Sequence, residues 1–146
     1  MERLTGSTYI MDIYGFCGNS GFFEFADGGS LEDVIWQKHV KDAWTSSEKV
    51  IVAQQVASGI AEMHNFVQEG RPSMAHTDIT TSQFVYVSEG GIYKLNDFNR
   101  CRFLSWNEEK NETCGYYVGN NPGLVSATLV RNEEEHRLFR ALTLCT

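Results

Sequence analysis

Two short apolar runs separated by glycines constrain the fold of this chain more than any other feature. Phe84–Val87 and Ile92–Leu95 are rich in β-branched and aromatic residues, and Glu89-Gly90-Gly91 between them favours a tight turn. The sequence therefore predicts a β-hairpin. Asp78 precedes its first strand and Asp97 follows its second, so we expect both carboxylates to lie at the same end of the hairpin.

The clearest helical pattern begins at a capping box, Thr45-Ser46-Ser47-Glu48. Apolar residues then recur at three- and four-residue steps on one face: Val52, Val56, Ile60, Met63 and Val67. Small residues, among them Gly59, permit another element to pack closely against this face. We predict a long helix that is stopped by Gly70 and Pro72.

The N-terminal part of the sequence predicts another hairpin and a shorter helix. Residues 9–17 and 21–26 are rich in β-formers and are joined by a turn over residues 18–21. A second capping box over residues 30–33 predicts a short helix through Trp36, and a polar connection follows from Lys38 to Ser46. Hairpins and helices in this mixture indicate the α+β class.

The remainder of the sequence has little apolar periodicity. We predict a long irregular segment over residues 100–123 and a short amphipathic helix around residues 133–139.

The charge and hydropathy pattern excludes several classes of partner. The formal net charge is −7 without a basic cluster, which disfavours binding to nucleic acid or to an anionic membrane through bulk electrostatics. No segment is long and apolar enough to cross a bilayer, and the first residues lack the apolar core of a signal peptide. We therefore expect no nucleic-acid partner, no membrane segment and a cytoplasmic location.

The two acids on either side of the central hairpin suggest a chemistry. Phosphoryl transfer needs one carboxylate near the acceptor hydroxyl and another that holds the metal ion at the phosphates, and Asp78 and Asp97 suit these two roles. The alternative is that both are ordinary loop acids that cap turns or face solvent. From the residues alone this alternative is the more common case.

Four segments occur together in an order that is typical of one family. They are Glu24-Phe25-Ala26-Asp27-Gly28-Gly29-Ser30-Leu31, the helical run from Val56 to His64, His76-Thr77-Asp78 through Gln83, and Lys94-Leu95-Asn96-Asp97-Phe98-Asn99. They resemble the hinge, the long helix, the H-R-D-x-x-x-x-N catalytic loop and the D-F-G strand of the protein kinase superfamily. The resemblance is collinear from about Tyr9 to Gly123.

The resemblance implies a site for ATP. Phe23 would occupy the gatekeeper position behind the adenine, and backbone groups of Glu24 and Ala26 would bind the edge of the base. Val85 would form the apolar floor of the pocket.

The resemblance also implies roles around the phosphates. Asp78 would accept or orient the proton of the attacking hydroxyl, and Asp97 would bind the Mg²⁺ that bridges the phosphates. Gln83 stands where the family has a metal-binding Asn, and its amide oxygen lies one methylene further out.

Several positions depart from the family pattern. Thr77 stands where kinases usually have Arg, Thr80 where serine/threonine kinases usually have Lys, and Asn99 where Gly follows Asp-Phe. No glycine-rich loop precedes Tyr9, and the Lys and Glu that position the phosphates would lie ahead of Met1.

We therefore expect a partial protein kinase-like fold over residues 1–123, with the end of the small-lobe sheet, the hinge and the first half of the mostly helical large lobe. Residues 124–146 would form a tail that does not match the family. The function of the kinase-like domain would be phosphoryl transfer to Ser, Thr or Tyr of a protein substrate. We expect this chain to be a truncated fragment of such a domain that is inactive alone. The alternatives are a pseudokinase that acts as a binding or scaffold module, and a small α+β interaction domain.

Overall fold

The fold belongs to the α+β class, as the sequence predicts. The computed structural model describes residues 2–18, 20–41 and 44–114, and the tail and helix predicted beyond residue 123 lie outside these ranges. The chain divides into two compact units, one formed by Met1–Met63 with Thr80–Phe98, the other by His64–Ile79 with the residues from Asn99 onward. No helix in the described ranges is long and apolar enough to cross a membrane.

The predicted central hairpin is confirmed at the predicted bounds and forms the core of the first unit. Strands β4 (Phe84–Val87) and β5 (Ile92–Leu95) pair antiparallel, and Gly91 adopts a positive φ of 65° in the turn. Residues directly opposite each other share a face of the hairpin. One face carries Phe84, Tyr86, Tyr93 and Leu95, and the other, here called the Val85 face, carries Val85, Val87, Ile92 and Lys94.

Irregular backbone covers both edges of this hairpin. Along β5, the Leu95 N–H donates to the Tyr9 carbonyl at 2.8 Å, and the Met11 N–H donates to the Leu95 carbonyl at 3.0 Å. Along β4, the Tyr86 N–H donates to the Gly29 carbonyl at 2.9 Å, and its own carbonyl accepts from the Gly28 N–H at 3.1 Å. Because backbone polar groups must be paired when buried, these bonds complete the ladder without further strands.

Strands β1 (Ile13–Cys17) and β2 (Ser20–Phe23) form the predicted N-terminal hairpin, but both are shorter than predicted. The reason is the pairing described above: the backbone before β1 bonds to β5, and the backbone after β2 leaves towards β4. Residues 24–30, here called the linker, therefore run beside the central hairpin. Four aromatic side chains of this hairpin are at least 48% exposed: Tyr14, Phe16, Phe22 and Phe23.

Helix α1 (Leu31–Lys41) begins at the predicted capping box. The Asp33 N–H donates to Ser30 Oγ at 3.2 Å, and the Ser30 N–H donates to Asp33 Oδ2 at 3.3 Å. The helix continues five residues past the predicted end at Trp36, so the predicted polar connection from Lys38 is wrong up to Lys41. Gln and Lys are good helix formers, and no Gly or Pro interrupts the run.

Helix α2 (Ser46–His64) begins at the other predicted capping box, where the Glu48 N–H donates to Thr45 Oγ1 at 3.2 Å. It ends earlier than predicted, because the His64 carbonyl accepts from the Ser73 N–H at 3.0 Å. Val67 therefore lies beyond the helix and is 70% exposed. The predicted close approach at Gly59 is confirmed, since a Cβ there would lie 2.9 Å from the Tyr9 carbonyl oxygen.

In the second unit, the segment predicted to be irregular contains paired strands within residues 100–114. Strand β3 (Met74–Ala75) pairs with β6 (Arg102–Phe103), and β7 (Trp106–Asn107) pairs with β8 (Glu112–Thr113). Strands of two residues are too short to show an alternating pattern, so the sequence does not indicate them.

Candidate functional site

The linker is held along β4 by a carboxylate as well as by backbone bonds. The Asp27 carboxylate accepts from the Ser88 N–H at 2.9 Å and from the Ser88 hydroxyl. These hydrogen bonds stabilise the charged form and lower the pKa of Asp27. The linker is thus fixed at Asp27, Gly28 and Gly29, in the middle of its length.

A buried ion pair fixes the start of the linker. Lys94 Nζ on β5 donates to both carboxylate oxygens of Glu24, at 2.8 and 2.9 Å, and Oε2 also accepts from the Asp12 N–H at 3.1 Å. The two side chains are only 11% and 15% exposed. Neither the pairing nor the burial of Lys94 has a signal in the sequence, because the partners are 70 residues apart.

The residues expected to bind adenine lie at the linker and beside it. Two backbone groups, the Glu24 carbonyl and the Ala26 N–H, make no hydrogen bond within the described ranges. Val85 is half-buried and lies opposite Lys94 in the β4–β5 register, so the two side chains share the Val85 face. Phe23 is 48% exposed, and its ring packs over Gly21, where a Cβ would collide with it.

The two candidate metal ligands are linked through the backbone. A 3₁₀ turn, Thr81–Gln83, leads into β4, and the Gln83 carbonyl accepts from the Asn96 N–H at 2.8 Å. Asp97 follows directly and adopts φ 57°, in the left-handed region that L-residues other than Asn and Asp seldom occupy. Asp accepts this conformation more readily than most residues, because its short side chain can hydrogen-bond to the nearby backbone.

Asp78 lies in the second unit, in a loop with a strained backbone. Thr77 has φ 65°, which is unusual for a β-branched residue, and its hydroxyl donates to the Arg100 carbonyl at 2.8 Å. The Arg100 guanidinium lies 3.4 Å from Asp78 Oδ2. The neighbouring His76 is fully buried. The sequence analysis does not predict Arg100 as a residue of the candidate site.

Six of the candidate residues belong to the first unit, and Asp78 belongs to the second. The six are Phe23, Glu24, Ala26, Gln83, Val85 and Asp97. Within the part of the chain that the structure describes, no group of three or more His, Cys, Asp and Glu side chains is arranged to hold a metal ion. Mg²⁺ needs no such group, because it commonly takes one or two carboxylates together with phosphate oxygens and water.

No protein-family model and no curated protein matches the chain. The relationship to protein kinases therefore stays a proposal that depends on the four motifs and on the contacts described above.

Proposed function

We propose that this chain is a protein kinase-like domain whose first unit binds the adenine ring of ATP along the linker. The observation that carries the proposal is which backbone groups of the linker are hydrogen-bonded. Asp27, Gly28 and Gly29 are fixed against the central hairpin, while the Glu24 carbonyl and the Ala26 N–H make no hydrogen bond to any residue in the described part of the chain. Adenine offers an amino donor and a ring-nitrogen acceptor on one edge, which complement this acceptor and this donor.

Val85 supports the same proposal. It is half-buried on the face that also carries Lys94, the partner of Glu24. Its backbone also forms a bridge with Ser30 at the end of the linker, and an apolar side chain beside the linker suits the flat face of a base.

Asp97, with the amide oxygen of Gln83, would hold the Mg²⁺ that accompanies ATP. When bound, the ion neutralises charge on the phosphates. The donor set fits Mg²⁺ because it consists of oxygen atoms only, and the Asn96–Gln83 backbone bond keeps the two positions together.

Asp78 would orient the hydroxyl of a protein Ser, Thr or Tyr, by the kinase resemblance. Its ion pair with Arg100 favours a second candidate, a pseudokinase that binds ATP and serves as a scaffold. The Arg100 guanidinium lies beside Oδ2 of this carboxylate, so a substrate hydroxyl would have to compete with it for that oxygen. The departures at Thr77, Thr80 and Asn99 point in the same direction, and we expect nucleotide binding without measurable phosphoryl transfer from these 146 residues.

A thermal-shift series tests the proposal. ATP with Mg²⁺ at about 100 times Kd should raise the free energy of unfolding by about 2.7 kcal/mol. Asp97→Asn should lose the Mg²⁺-dependent part of this gain, whereas Glu109→Gln, which removes an exposed acid in the second unit, should keep it.

Each alternative has its own outcome. If ATP does not stabilise the wild-type chain, nucleotide binding is rejected and the α+β interaction domain is favoured. The exposed aromatic residues of the first hairpin support that alternative. Unchanged Mg²⁺-dependent binding by Asp97→Asn would reject Asp97 as the metal ligand. Transfer of labelled phosphate to a protein that is lost in Asp78→Asn would reject the pseudokinase.

A further inference from the structure

The most buried ion pair among the described residues joins the linker to the central hairpin. Lys94 is 9% exposed as a whole residue, and two of its three ammonium hydrogens have bonding partners in the Glu24 carboxylate. Glu24 is held a second time through its backbone, because its N–H donates to the Asp12 carbonyl at 3.0 Å. Both the side chain and the amide of this residue are therefore fixed.

A buried charge that loses its partner is strongly unfavourable, so the two groups stay together. The pair thereby determines where Glu24 lies relative to β5. The carbonyl of the same residue is the group proposed to accept from the amino group of adenine, and it lies only a few bonds from the pinned carboxylate. Without the ion pair, the Glu24 backbone would be held through its N–H alone, and rotation about the Cα–C bond would move the carbonyl.

We infer that Lys94 is a specificity-determining positioning residue, which holds the Glu24 carbonyl in place for adenine and against guanine. The inference depends on the proposed function. Guanine carries a carbonyl oxygen where adenine carries an amino group, and an N–H where adenine has a bare ring nitrogen. With the linker fixed, the carbonyl oxygen of guanine would face the Glu24 carbonyl, which is also an acceptor, and the ring N–H of guanine would face the Ala26 N–H, which is also a donor. A linker that can shift would escape this mismatch.

The test measures two dissociation constants, for ATP and for GTP, each with Mg²⁺, by calorimetric titration of the 146-residue chain. We expect the wild-type chain to prefer ATP by about tenfold or more, which is the usual size of discrimination by paired hydrogen bonds. Lys94→Met should reduce this preference at least fivefold. Lys94→Arg, which keeps the charge, should retain most of it.

Controls separate positioning from general stability. The double variant Glu24→Gln with Lys94→Met leaves no buried charge, so it should remain folded by circular dichroism even where Lys94→Met alone does not, and it should show the same loss of preference. Arg71→Met breaks an exposed ion pair with Glu108 in the other unit and should leave the preference unchanged.

The outcomes are distinguishable from a failure of the proposed function. If the wild-type chain binds ATP and the Lys94 variants keep the wild-type ratio of the two constants, the positioning role is rejected and nucleotide binding stands. If the wild-type chain prefers neither nucleotide, the role of Lys94 is likewise rejected. If it binds no nucleotide, both proposals are rejected together.

Discussion

Gly59 provides a stringent test of how the first unit is packed. It lies buried in the middle of α2, where alanine is ordinarily better than glycine by about 1 kcal/mol. At this position, however, a Cβ would lie 2.9 Å from the Tyr9 carbonyl oxygen, when 3.4 Å is an ordinary contact. Gly59→Ala therefore requires the helix or the Tyr9 backbone to move by about half an ångström.

The Tyr9 backbone has little freedom to move. Its carbonyl accepts from the Leu95 N–H at 2.8 Å, and the neighbouring Ile10 and Leu95 side chains are both completely buried. Overpacking of this kind is unfavourable by about 1–3 kcal/mol, and more where a hydrogen bond is stretched as well. The gain of about 1 kcal/mol in helix propensity is offset by about 1 kcal/mol lost from the stretched hydrogen bond, so we expect Gly59→Ala to lower the free energy of unfolding by about 1–3 kcal/mol.

Urea denaturation followed by circular dichroism measures this change. Ala61→Gly, at an exposed position of the same helix, calibrates the propensity contribution and should lower stability by about 1 kcal/mol. If Gly59→Ala instead raises stability by that amount, the close approach of Tyr9 to α2 is not present in solution, and the packing described for the first unit is wrong.

Three further predictions concern pH, the linker and the exposed aromatic residues. Burial lowers the pKa of His64 below 6.5, so the contribution of the neutral His64 to stability is present above pH 6.5 and is lost as the pH falls through the folded-state pKa. His64→Asn should therefore flatten the decline in melting temperature between pH 7.5 and 5.5, and an unchanged decline would contradict this. Gly28→Ala should lower stability by about 1–3 kcal/mol, because a Cβ would lie 2.8 Å from Tyr86 Cβ, whereas Gly15→Ala, with no atom within 4 Å, should change it by less than about 0.5 kcal/mol in the same urea titration. The wild-type chain should self-associate in sedimentation velocity through its first hairpin, and Phe16→Ser should shift it towards monomer; a wild-type monomer at all concentrations would disprove this.

The features that the sequence predicts correctly are local ones. Both capping boxes use residues three positions apart, and the central hairpin needs only two alternating runs and a glycine turn, so its bounds are predicted to the residue. The errors fall where distant residues decide the outcome. The length of β1 depends on whether Tyr9 and Met11 pair with β2 or with Leu95, and the end of α2 depends on Ser73.

The candidate site divides in the same way. The hairpin pattern singles out Asp78 and Asp97, which precede and follow its strands, and the kinase resemblance adds Gln83. Lys94 and Arg100 have no such signal. A Lys in a strand is ordinarily exposed, and Lys94 is buried only because the fold brings Glu24 to it, just as it brings Arg100 to Asp78.

The stability of the first unit and the geometry of its candidate site depend on the same contacts. An uncovered β4 edge would expose unpaired backbone groups, and the linker covers that edge through Gly28 and Gly29. The bonds that cover the edge also determine which linker groups remain available, because a residue that pairs with β4 cannot bind a ligand with the same atoms. Glu24 and Ala26 precede this paired stretch, with Glu24 held by its side chain instead of its carbonyl. The ion pair therefore fixes the backbone at Glu24 and leaves its carbonyl oxygen available as the acceptor that a base would need. A backbone hydrogen bond to that carbonyl would fix the linker as well, but it would occupy the acceptor.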